Sequence, residues 1–440
     1  MSLTPSQKKK IRNVADVAMW RLCSGCGACA AVCEQRAVRL IDIDEDGIRP
    51  VVNTEKCLQC GRCIEVCPGL SLAQEPFAEC TIPELRLSWG PVLEVWEGYA
   101  ADPEIRFKGS SGGVATALSL FCLERMGIEC TLHTGTKPEN PLFNTPVFSR
   151  NRDQLIAQTG SRYAPAAPCA GFDAVDASVS NCVFIGKPCD VAALRKAQAM
   201  DSSLAYKVVL SISIFCAGTP SRRGTKAVLD KLNVQPEDVE EFRYRGWGWP
   251  GETVVKSHGH VCQMSYEQSW GEILTRYVPL RCRLCPDGSG QFADISCGDP
   301  WCKAIEPDDP GQSLVLVRTE KGREMLDKAI KAGYLKLQPI DASAVSRSQK
   351  GLLNRKRQLW GRLRTMRATG IVVPDYKGFH LFDNWCNLPM MEKIRSVLST
   401  FKRILCRKLY SPVKYQFGMI VYNEESCVTA SPAEKQTEES

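Results

Sequence analysis

Histidine is scarce in this 440-residue chain, and long apolar runs are missing. The four histidines are too scattered to suggest a histidine metal site, and we expect them to face solvent. No window of about 18 consecutive apolar residues is present, which argues against a membrane-spanning helix. No apolar segment follows the basic run at residues 8–10, so no secretory signal is indicated. These absences predict a cytoplasmic protein.

The charge balance is also unremarkable for a folded protein. The chain carries 56 basic and 49 acidic side chains, a formal charge of +7, with 44% hydrophobic residues. A protein of this size carries such an excess without a polyanionic ligand. No basic stripe interleaved with aromatic residues is present, so we expect no nucleic-acid partner.

Cysteine, in contrast, is abundant. Twenty-three cysteines are far more than a cytoplasmic chain needs for packing, and disulfide frameworks are rare in that compartment. A disulfide-rich secreted protein is the alternative, but the signal segment that it would need is missing. Metal or redox chemistry is the better explanation.

The first 70 residues contain an internal repeat of one cysteine unit. Four cysteines recur with a shift of 34 positions, and an Asp46-Gly47 turn between two extended runs predicts a hairpin that joins the units. In two-cluster ferredoxins the last cysteine of each run binds the other cluster. We therefore assign one 4Fe-4S centre to Cys23, Cys26, Cys29 and Cys67, and a second to Cys57, Cys60, Cys63 and Cys33.

The details of the repeat support this assignment. Pro68 gives the second run the usual Cys-Pro ending, whereas Glu34 replaces that proline in the first run without removing a ligand. Zinc sites with four cysteines need only paired Cys-x-x-Cys elements and have no use for the third and fourth cysteines of each run.

The rest of the chain indicates further domains, giving an α+β multidomain fold. We predict a ferredoxin-like domain over residues 1–75, an α/β body in two parts over 76–180 and 181–345, and a helical extension with a polar tail over 346–440. Residues 72–91, with three prolines, are predicted to link the module to the body. Residues 390–410 form a basic amphipathic pattern with Ile394, Leu398, Phe401, Leu405 and Leu409 on one face.

Five motifs in order carry a family resemblance. They are residues 107–118, which contain Ser-Ser-Gly-Gly, residues 161–165, residues 185–194 around Gly-Lys-Pro-Cys, residues 282–287 with Cys-Arg-Leu-Cys, and residues 293–301. Over about residues 10–345 the chain resembles the coenzyme F-420 hydrogenase/dehydrogenase beta subunit family, which includes 7-hydroxymethyl chlorophyll a reductase. The resemblance implies a flavoprotein body with its own iron–sulfur cluster and FAD.

The resemblance also makes specific residues the expected FAD contacts. A Ser-Ser-Gly-Gly turn that opens an apolar helix presents backbone N–H groups to an anion, although alone it is more often a turn and cap. With the resemblance, the expected contacts are Ser110, Ser111, Gly112, Gly113, Tyr163 and Lys187.

A third 4Fe-4S cluster is expected in the body. Cys189 and Cys216 each follow a predicted strand, so both can project from one edge of a parallel sheet, and Cys282 and Cys285 form a Cys-x-x-Cys pair. We propose these four as ligands, which the resemblance supports. If Cys216 is instead a buried packing residue, Cys297 or Cys302 is the replacement.

Two other segments have open interpretations. The aromatic loop at residues 244–251 either stacks on a planar substrate or anchors itself against the body. The basic helix near 390–410 either lies on anionic lipid, docks a partner or packs on the core, and it is the only predicted route to a membrane. Asp287, Asp294 and Asp299 are expected to hold turns rather than relay protons.

The sequence therefore gives two functional hypotheses. In the first, the chain is an iron–sulfur flavoprotein oxidoreductase that passes electrons between its clusters and FAD, which reduces or oxidises deazaflavin coenzyme F-420 or an unsaturated or tetrapyrrole-like compound. In the second, it is a non-catalytic electron-transfer subunit of a larger redox complex. Ferredoxin or another oxidoreductase subunit is the expected partner in either case.

Overall fold

The β-rich runs of the central body assemble into one sheet of eight strands. A computed structural model of the chain describes residues 10–306, 308–417 and 420–421. The strands are β1 (Val38–Ile43), β2 (Gly47–Val52), β3 (Ser71–Ala73), β4 (Glu94–Ala100), β5 (Cys130–Lys137), β6 (Asn140–Ser149), β7 (Cys182–Gly186), β8 (Val208–Ile214), β9 (Val239–Arg243), β10 (Glu252–Ser257), β11 (His260–Ser265), β12 (Ile295–Gly298), β13 (Ser313–Val317), β14 (Leu335–Pro339), β15 (Asp375–Lys377), β16 (Gln416–Phe417) and β17 (Ile420–Val421).

Helices cover the sheet and build the two ends of the chain. The α-helices are α1 (Val14–Met19), α2 (Ala28–Ala31), α3 (Arg62–Glu65), α4 (Pro83–Trp89), α5 (Pro103–Lys108), α6 (Val114–Arg125), α7 (Arg152–Ala157), α8 (Phe172–Ser178), α9 (Pro188–Gln198), α10 (Ser202–Lys207), α11 (Arg222–Leu232), α12 (Leu280–Arg283), α13 (Glu320–Lys331), α14 (Ser343–Ser348), α15 (Lys350–Ala368), α16 (Leu381–Cys386) and α17 (Met390–Cys406).

The order of the main sheet is β14-β4-β13-β12-β8-β7-β5-β6. Its central strands β5, β7, β8 and β12 are parallel neighbours, and the outer strands pair antiparallel. Every residue of β13 is buried, as expected for a strand covered on both faces. The fold is thus mixed α/β, and the carboxyl ends of four parallel strands meet at one edge, where such sheets place their sites.

The amino-terminal repeat folds as two similar units joined by a hairpin. Strands β1 and β2 pair antiparallel, and Gly47 closes the turn with a φ of +83°, as the Asp-Gly sequence predicts. Gly27 and Gly61 occupy equivalent positions in the repeat, and each comes directly before a short helix. The backbone of both glycines is in the left-handed conformation, which favours glycine.

This amino-terminal module shares its hydrophobic core with the body. Val14 and Cys29 belong to the same buried cluster as Leu132, Phe172 and Phe184 of the body. A Cβ atom added to Gly27 would lie 2.9 Å from the backbone nitrogen of Ala170, so the two backbones touch there. The module is therefore packed into the body.

The segment between module and body is more ordered than its prolines suggest. Residues 71–73 form β3, which pairs in parallel with β15 of the carboxyl-terminal extension, and Pro83 begins helix α4. Proline is well tolerated in the first helical turn because the N–H that it lacks has no partner there. A proline-rich stretch can thus hold both a strand and a helix start.

The carboxyl-terminal extension returns to cover the module. Leu359 and Leu363 of α15 and Ile404 of α17 are buried in one cluster with Trp20 and Leu22. Among the residues that the structure describes, no helix combines the length and the apolar character needed to cross a bilayer.

We expect Leu359→Ala to lower the free energy of unfolding by about 2–5 kcal/mol, because it leaves a cavity between the extension and the module. Leu398→Ala, at a position of α17 that is 63% exposed, is the matched control and should cost well under about 1 kcal/mol. Urea unfolding of the full chain measures both. Equal losses for the two variants would show that the extension does not pack as described.

Candidate functional site

The structure brings together the four cysteines that the repeat assigns to the first centre. Cys23, Cys26, Cys29 and Cys67 line one small cavity, together with Leu40 of the hairpin. All four are buried. The last cysteine of the second run thus lies with the first three of the first run, as the exchange of ligands between two ferredoxin clusters requires.

The second set is more open. Cys33, Cys57 and Cys60 all lie close enough to Cys63 to interact electrostatically with its thiol. Cys60 is exposed and the others are half-buried. Nowhere in the described ranges do three His, Cys, Asp or Glu side chains gather closely enough to hold a single metal ion.

The third set forms at the edge of the main sheet. Cys189 follows β7 at the start of α9, and Cys216 lies two residues after β8. Cys189 interacts electrostatically with Cys216 and Cys285, and Cys216 interacts with Cys282 as well. Two parallel strands and the short helix α12 therefore place all four predicted cysteines together.

The two alternative ligands are Cys297, which also lines a cavity beside this set, and Cys302. Burial raises the pKa of Cys297 to about 12, and no cysteine contributes to that shift. Cys302 is exposed, and its sulfur accepts a hydrogen bond from the Ser348 hydroxyl at 3.1 Å. The geometry thus favours Cys216 as the fourth member of the set.

Arg281 lies between the first and third sets, a feature that the sequence reasoning missed. Its guanidinium is almost fully buried and donates a hydrogen bond to the backbone oxygen of Pro68 at 2.9 Å. Burial opposes the charged form, yet Tyr376 and the thiols of the third set raise the pKa of Arg281. Its charge also lowers the pKa of Cys23. The neighbouring Cys-x-x-Cys motif was the only sequence signal that could have pointed to it.

Two further buried cations lie near the cysteines. Arg49 is 3% exposed and its charge lowers the pKa of Cys23. Lys356 of α15 is 5% exposed, shares a small cavity with Cys285, and has no hydrogen-bond partner for Nζ in the described part of the chain. Burial lowers the pKa of Lys356 to about 7. No local pattern in the sequence links Lys356 to a cysteine 71 positions earlier.

The thiols need this positive surrounding to ionise. Burial is the main cause that raises the pKa of Cys67 and of Cys216 to about 12. Thiolate, rather than thiol, is the form that binds iron. Bound iron and the nearby cations would together supply the charge that stabilises the thiolates, so the residues present fit 4Fe-4S clusters.

Cys169 links the first set to the third. Its backbone N–H donates to the Cys26 carbonyl oxygen at 3.0 Å, and its thiol donates to the Asp190 carbonyl oxygen at 3.4 Å. Asp190 directly follows Cys189 and forms an ion pair of 2.7 Å with Lys187. Burial alone would lower the pKa of Lys187, but the Asp190 carboxylate offsets burial and raises it.

A cavity of about 290 Å³ opens beside the third set. Five of the six expected FAD contacts line it: Ser110, Ser111, Gly113, Tyr163 and Lys187. Cys216 lines the same cavity. Gly112 instead packs against the sheet, where its N–H donates to Ser313 Oγ at 3.0 Å and an added Cβ would lie 2.7 Å from the Gly98 oxygen.

The first turn of α6 faces this cavity. Val114, Ala115 and Thr116 line it, and Gly113 precedes them in a left-handed conformation without a side-chain cap. The first N–H groups of a helix have no partner within the helix, and the helix dipole favours an anion there. This end of the cavity therefore suits a phosphate group.

The opposite wall is aromatic. The rings of Tyr266 and Trp301 are stacked, with their centroids 5.2 Å apart. The ring centroids of Trp270 and Tyr163 are 4.6 Å apart. Flat apolar walls with a few polar groups are typical of cofactor pockets, and 290 Å³ is near the lower end of their size range. The residues present thus fit a phosphate group and a flat ring system, the two kinds of group that a flavin cofactor carries.

The aromatic loop at residues 244–251 is anchored. Tyr244 and Trp249 are buried, and Arg245 forms an ion pair with Asp299 at 2.5 Å. Trp247 is exposed, and the Arg243 guanidinium lies 4.7 Å from its ring. The structure supports the anchoring interpretation, with Arg245 and Asp299 forming part of the cavity wall.

The other loop aspartates also have structural roles. Asp287 accepts hydrogen bonds from the backbone of Ser289, Gly290 and Gln291, and Asp294 accepts from Ser211. The expectation that every histidine faces solvent is wrong for His133. It lines the cavity, contacts Ser149 Oγ at 2.8 Å, and burial lowers its pKa to about 4.

Comparisons with known proteins identify families over most of the chain. Three family models match: "4Fe-4S dicluster domain" over residues 22–69, and "Coenzyme F420 hydrogenase/dehydrogenase", beta subunit, with its N-terminal part over 95–172 and its C terminus over 179–343. Together the two beta-subunit models span more than half of the chain.

Relatives of several kinds are found. A coenzyme F420-dependent sulfite reductase of Methanocaldococcus jannaschii is 26% identical over 72% of this chain, and this chain spans only 47% of its length. The beta subunit of a coenzyme F420 hydrogenase of Methanosarcina barkeri is 26% identical over 55% of this chain and 80% of its own. A chloroplastic 7-hydroxymethyl chlorophyll a reductase of Oryza sativa is 24% identical over 53% of this chain and 49% of its own.

These relatives are oxidoreductases or parts of them, which supports a redox role for this chain. The dicluster domain covers the cysteine repeat, and the beta-subunit models cover the cavity and the third set of cysteines. The chain therefore belongs to the coenzyme F420 hydrogenase/dehydrogenase beta subunit family and joins that body to a 4Fe-4S dicluster domain.

Proposed function

We propose that this protein is an iron–sulfur flavoprotein oxidoreductase with three 4Fe-4S clusters and one FAD, acting on an organic substrate. The observation that carries the proposal is the position of Cys216. It belongs to the third set of cysteines and also lines the cavity that suits a flavin. The third set would hold a cluster, and the cavity that shares Cys216 with it would hold the flavin, so that electrons could pass between them.

The chemistry divides between the groups in a simple way. Clusters exchange one electron at a time and flavin one or two, so FAD would join single-electron supply to two-electron substrate chemistry. The protein supplies twelve thiolate ligands, buried cations that stabilise negative charge, and an aromatic wall. The exposed Cys60 marks the second set as the point of contact for ferredoxin or another oxidoreductase subunit.

The relatives and the wall of the cavity support a proposal for the substrate class. Two of the relatives are named for coenzyme F420 and one for 7-hydroxymethyl chlorophyll a. A deazaflavin and a tetrapyrrole are both large, flat and unsaturated, as the stacked Tyr266 and Trp301 would favour. We propose coenzyme F-420 or an unsaturated, tetrapyrrole-like compound as the substrate.

A second candidate is an electron-transfer subunit without its own catalysis. Some relatives are named as subunits, including the beta subunit of an F420-dependent formate dehydrogenase. Such a subunit could pass electrons through its clusters to a partner chain. Flavin content distinguishes the two, because a subunit that only conducts electrons has no need of FAD.

We expect Cys216→Ser to lower the iron content of the anaerobically reconstituted protein from about twelve to about eight atoms per chain, since it removes one ligand of the third cluster. Cys297→Ser and Cys302→Ser are the matched controls and should keep about twelve. Iron and acid-labile sulfide analysis measures the result. A wild-type value of about eight would rule out the third cluster.

We expect Thr116→Glu to weaken FAD binding at least tenfold, because it places a carboxylate in the first turn of α6, facing the cavity. Thr116→Gln has nearly the same size without the charge and should bind normally. A carboxylate at a helix start stabilises the helix, so unfolding would not explain the loss. Flavin titration by fluorescence provides the measurement, and equal affinity of the two variants would place the phosphates elsewhere.

We expect Arg281→Gln to lower the midpoint potentials of two clusters, those of the first and third sets, by about 59 mV or more, which is tenfold in each one-electron equilibrium. Its charge favours the reduced, more negative cluster, and Arg281→Lys should retain most of the effect. Redox titration followed by electron paramagnetic resonance measures each potential. The cluster of the second set is the internal control, and a uniform shift of all three would contradict this role.

A further inference from the structure

Helix α17 turns its apolar face away from the protein. Leu398 is 63% exposed, Phe401 47% and Leu405 56%. The face that meets the protein carries Ser396, Thr400 and Ile404. The core-facing alternative for this amphipathic helix is therefore wrong, although Leu409, beyond its end, is buried.

Close helix packing explains this orientation. An added Cβ on Gly361 of α15 would lie 2.4 Å from the Ser396 hydroxyl oxygen, so the two helices approach where both residues are small. The hydroxyl of Thr400 bonds to the Ser396 carbonyl oxygen within α17. Small and internally satisfied side chains make the contact, which leaves the large apolar side chains on the outer face.

The exposed stripe continues beyond the helix. Met390 and Met391 are 68% and 74% exposed at its start. Phe382 of the preceding helix α16 is also half exposed, and the centroid of its ring lies 5.0 Å from that of Trp360 and 6.4 Å from that of Trp385. An exposed group of large apolar side chains of this kind usually has a binding role.

Positive charge surrounds the stripe. Residues 346–417 contain 16 lysines and arginines but only three acidic residues, whereas acidic residues outnumber basic ones in the rest of the chain. In the part of the chain that the structure describes, no carboxylate pairs with Lys402, Arg407 or Lys408, all of which are exposed. Burial and the neighbouring Arg407 both lower the pKa of Arg403. The one carboxylate of α17, that of Glu392, pairs with Arg395 and leaves these charges unbalanced.

We propose that the outer face of α17, with Phe382 beside it, docks on an anionic lipid surface. An interfacial helix has a wide apolar face, lysines and arginines beside it, and too much charge to cross the bilayer, and α17 meets each condition. Lysine is depleted in protein–protein interfaces, whereas at a bilayer its long side chain reaches the headgroups. Basic residues are concentrated in residues 346–417, whereas acidic residues outnumber basic ones in the rest of the chain. This concentration of positive charge also favours an anionic surface.

Vesicle flotation with the full-length, reconstituted protein tests the proposal. The vesicles are phosphatidylcholine alone, or phosphatidylcholine with about one third phosphatidylglycerol. We expect at least tenfold stronger partitioning to the anionic vesicles, weakened by salt because the attraction is electrostatic. This result does not depend on flavin or substrate, so it is separate from the proposed redox function.

Two pairs of variants locate the binding surface. Leu398→Ser with Phe401→Ser should reduce partitioning at least tenfold, whereas Tyr206→Ser with Val261→Ser, which are 84% and 59% exposed elsewhere, should not. Lys402→Gln with Arg407→Gln should reduce the preference for anionic lipid, while Lys226→Gln with Lys331→Gln, also exposed, should leave it unchanged. All positions are at the surface, and an unchanged iron content and unfolding midpoint verify that each variant is folded.

Three outcomes would overturn the proposal. One is equal partitioning to neutral and anionic vesicles. Another is wild-type partitioning by the Leu398→Ser and Phe401→Ser variant. The third is a dimer in analytical ultracentrifugation that this variant abolishes while vesicles bind neither form, because the face would then cover a second copy of the chain.

Discussion

The guanidinium group of Arg281 lies between two sets of cysteine thiols, and within residues 10–306 and 308–417 no carboxylate forms an ion pair with it. Arg281 contacts the module through the carbonyl oxygen of Pro68, and the thiols of Cys189, Cys282 and Cys285 lie on its other side. Burying an isolated charge costs several kcal/mol, and losing its counter-charge is strongly destabilising. The thiolates of bound clusters would supply that counter-charge. The charge balance of the interior therefore depends on metal loading, and it ties the module to the body.

The shared hydrophobic core also ties the amino-terminal module to the body. The amino-terminal module packs on the sheet from one side, and α15 and α17 return from the far end of the chain to cover its other side. Strand β3 pairs with β15, about 300 residues later. This packing holds sets of cysteines that are distant in sequence at fixed distances from one another. Electron transfer between clusters requires such fixed distances. A freely tethered ferredoxin domain would not provide this.

Local and repetitive signals in the sequence predicted much of the site. The repeat around Cys23 and Cys57 fixed two sets of ligands, because cluster ligation demands a particular spacing. The position of Cys216 after a predicted strand, beside the strand that precedes Cys189, indicated the third set, and the family resemblance supported it. Lys356 escaped prediction because its partner is distant in sequence and a buried lysine leaves no pattern. The periodicity at 390–410 predicted an amphipathic helix, but periodicity shows only that one face is apolar. Whether the protein covers that face depends on the small residue Gly361, 35 positions from Ser396.

The second set of cysteines is more exposed to solvent than the first and third sets. Cys60 is exposed, and its neighbour Leu58 is 71% exposed, so this centre meets the solvent directly. A path that is short for electrons is equally short for dioxygen, which attacks exposed clusters. The four thiols of the first set are buried and shielded from such attack, whereas those of the third set are half-buried beside the cavity. A cell that uses this protein must therefore keep it away from oxygen or rebuild its outermost cluster repeatedly.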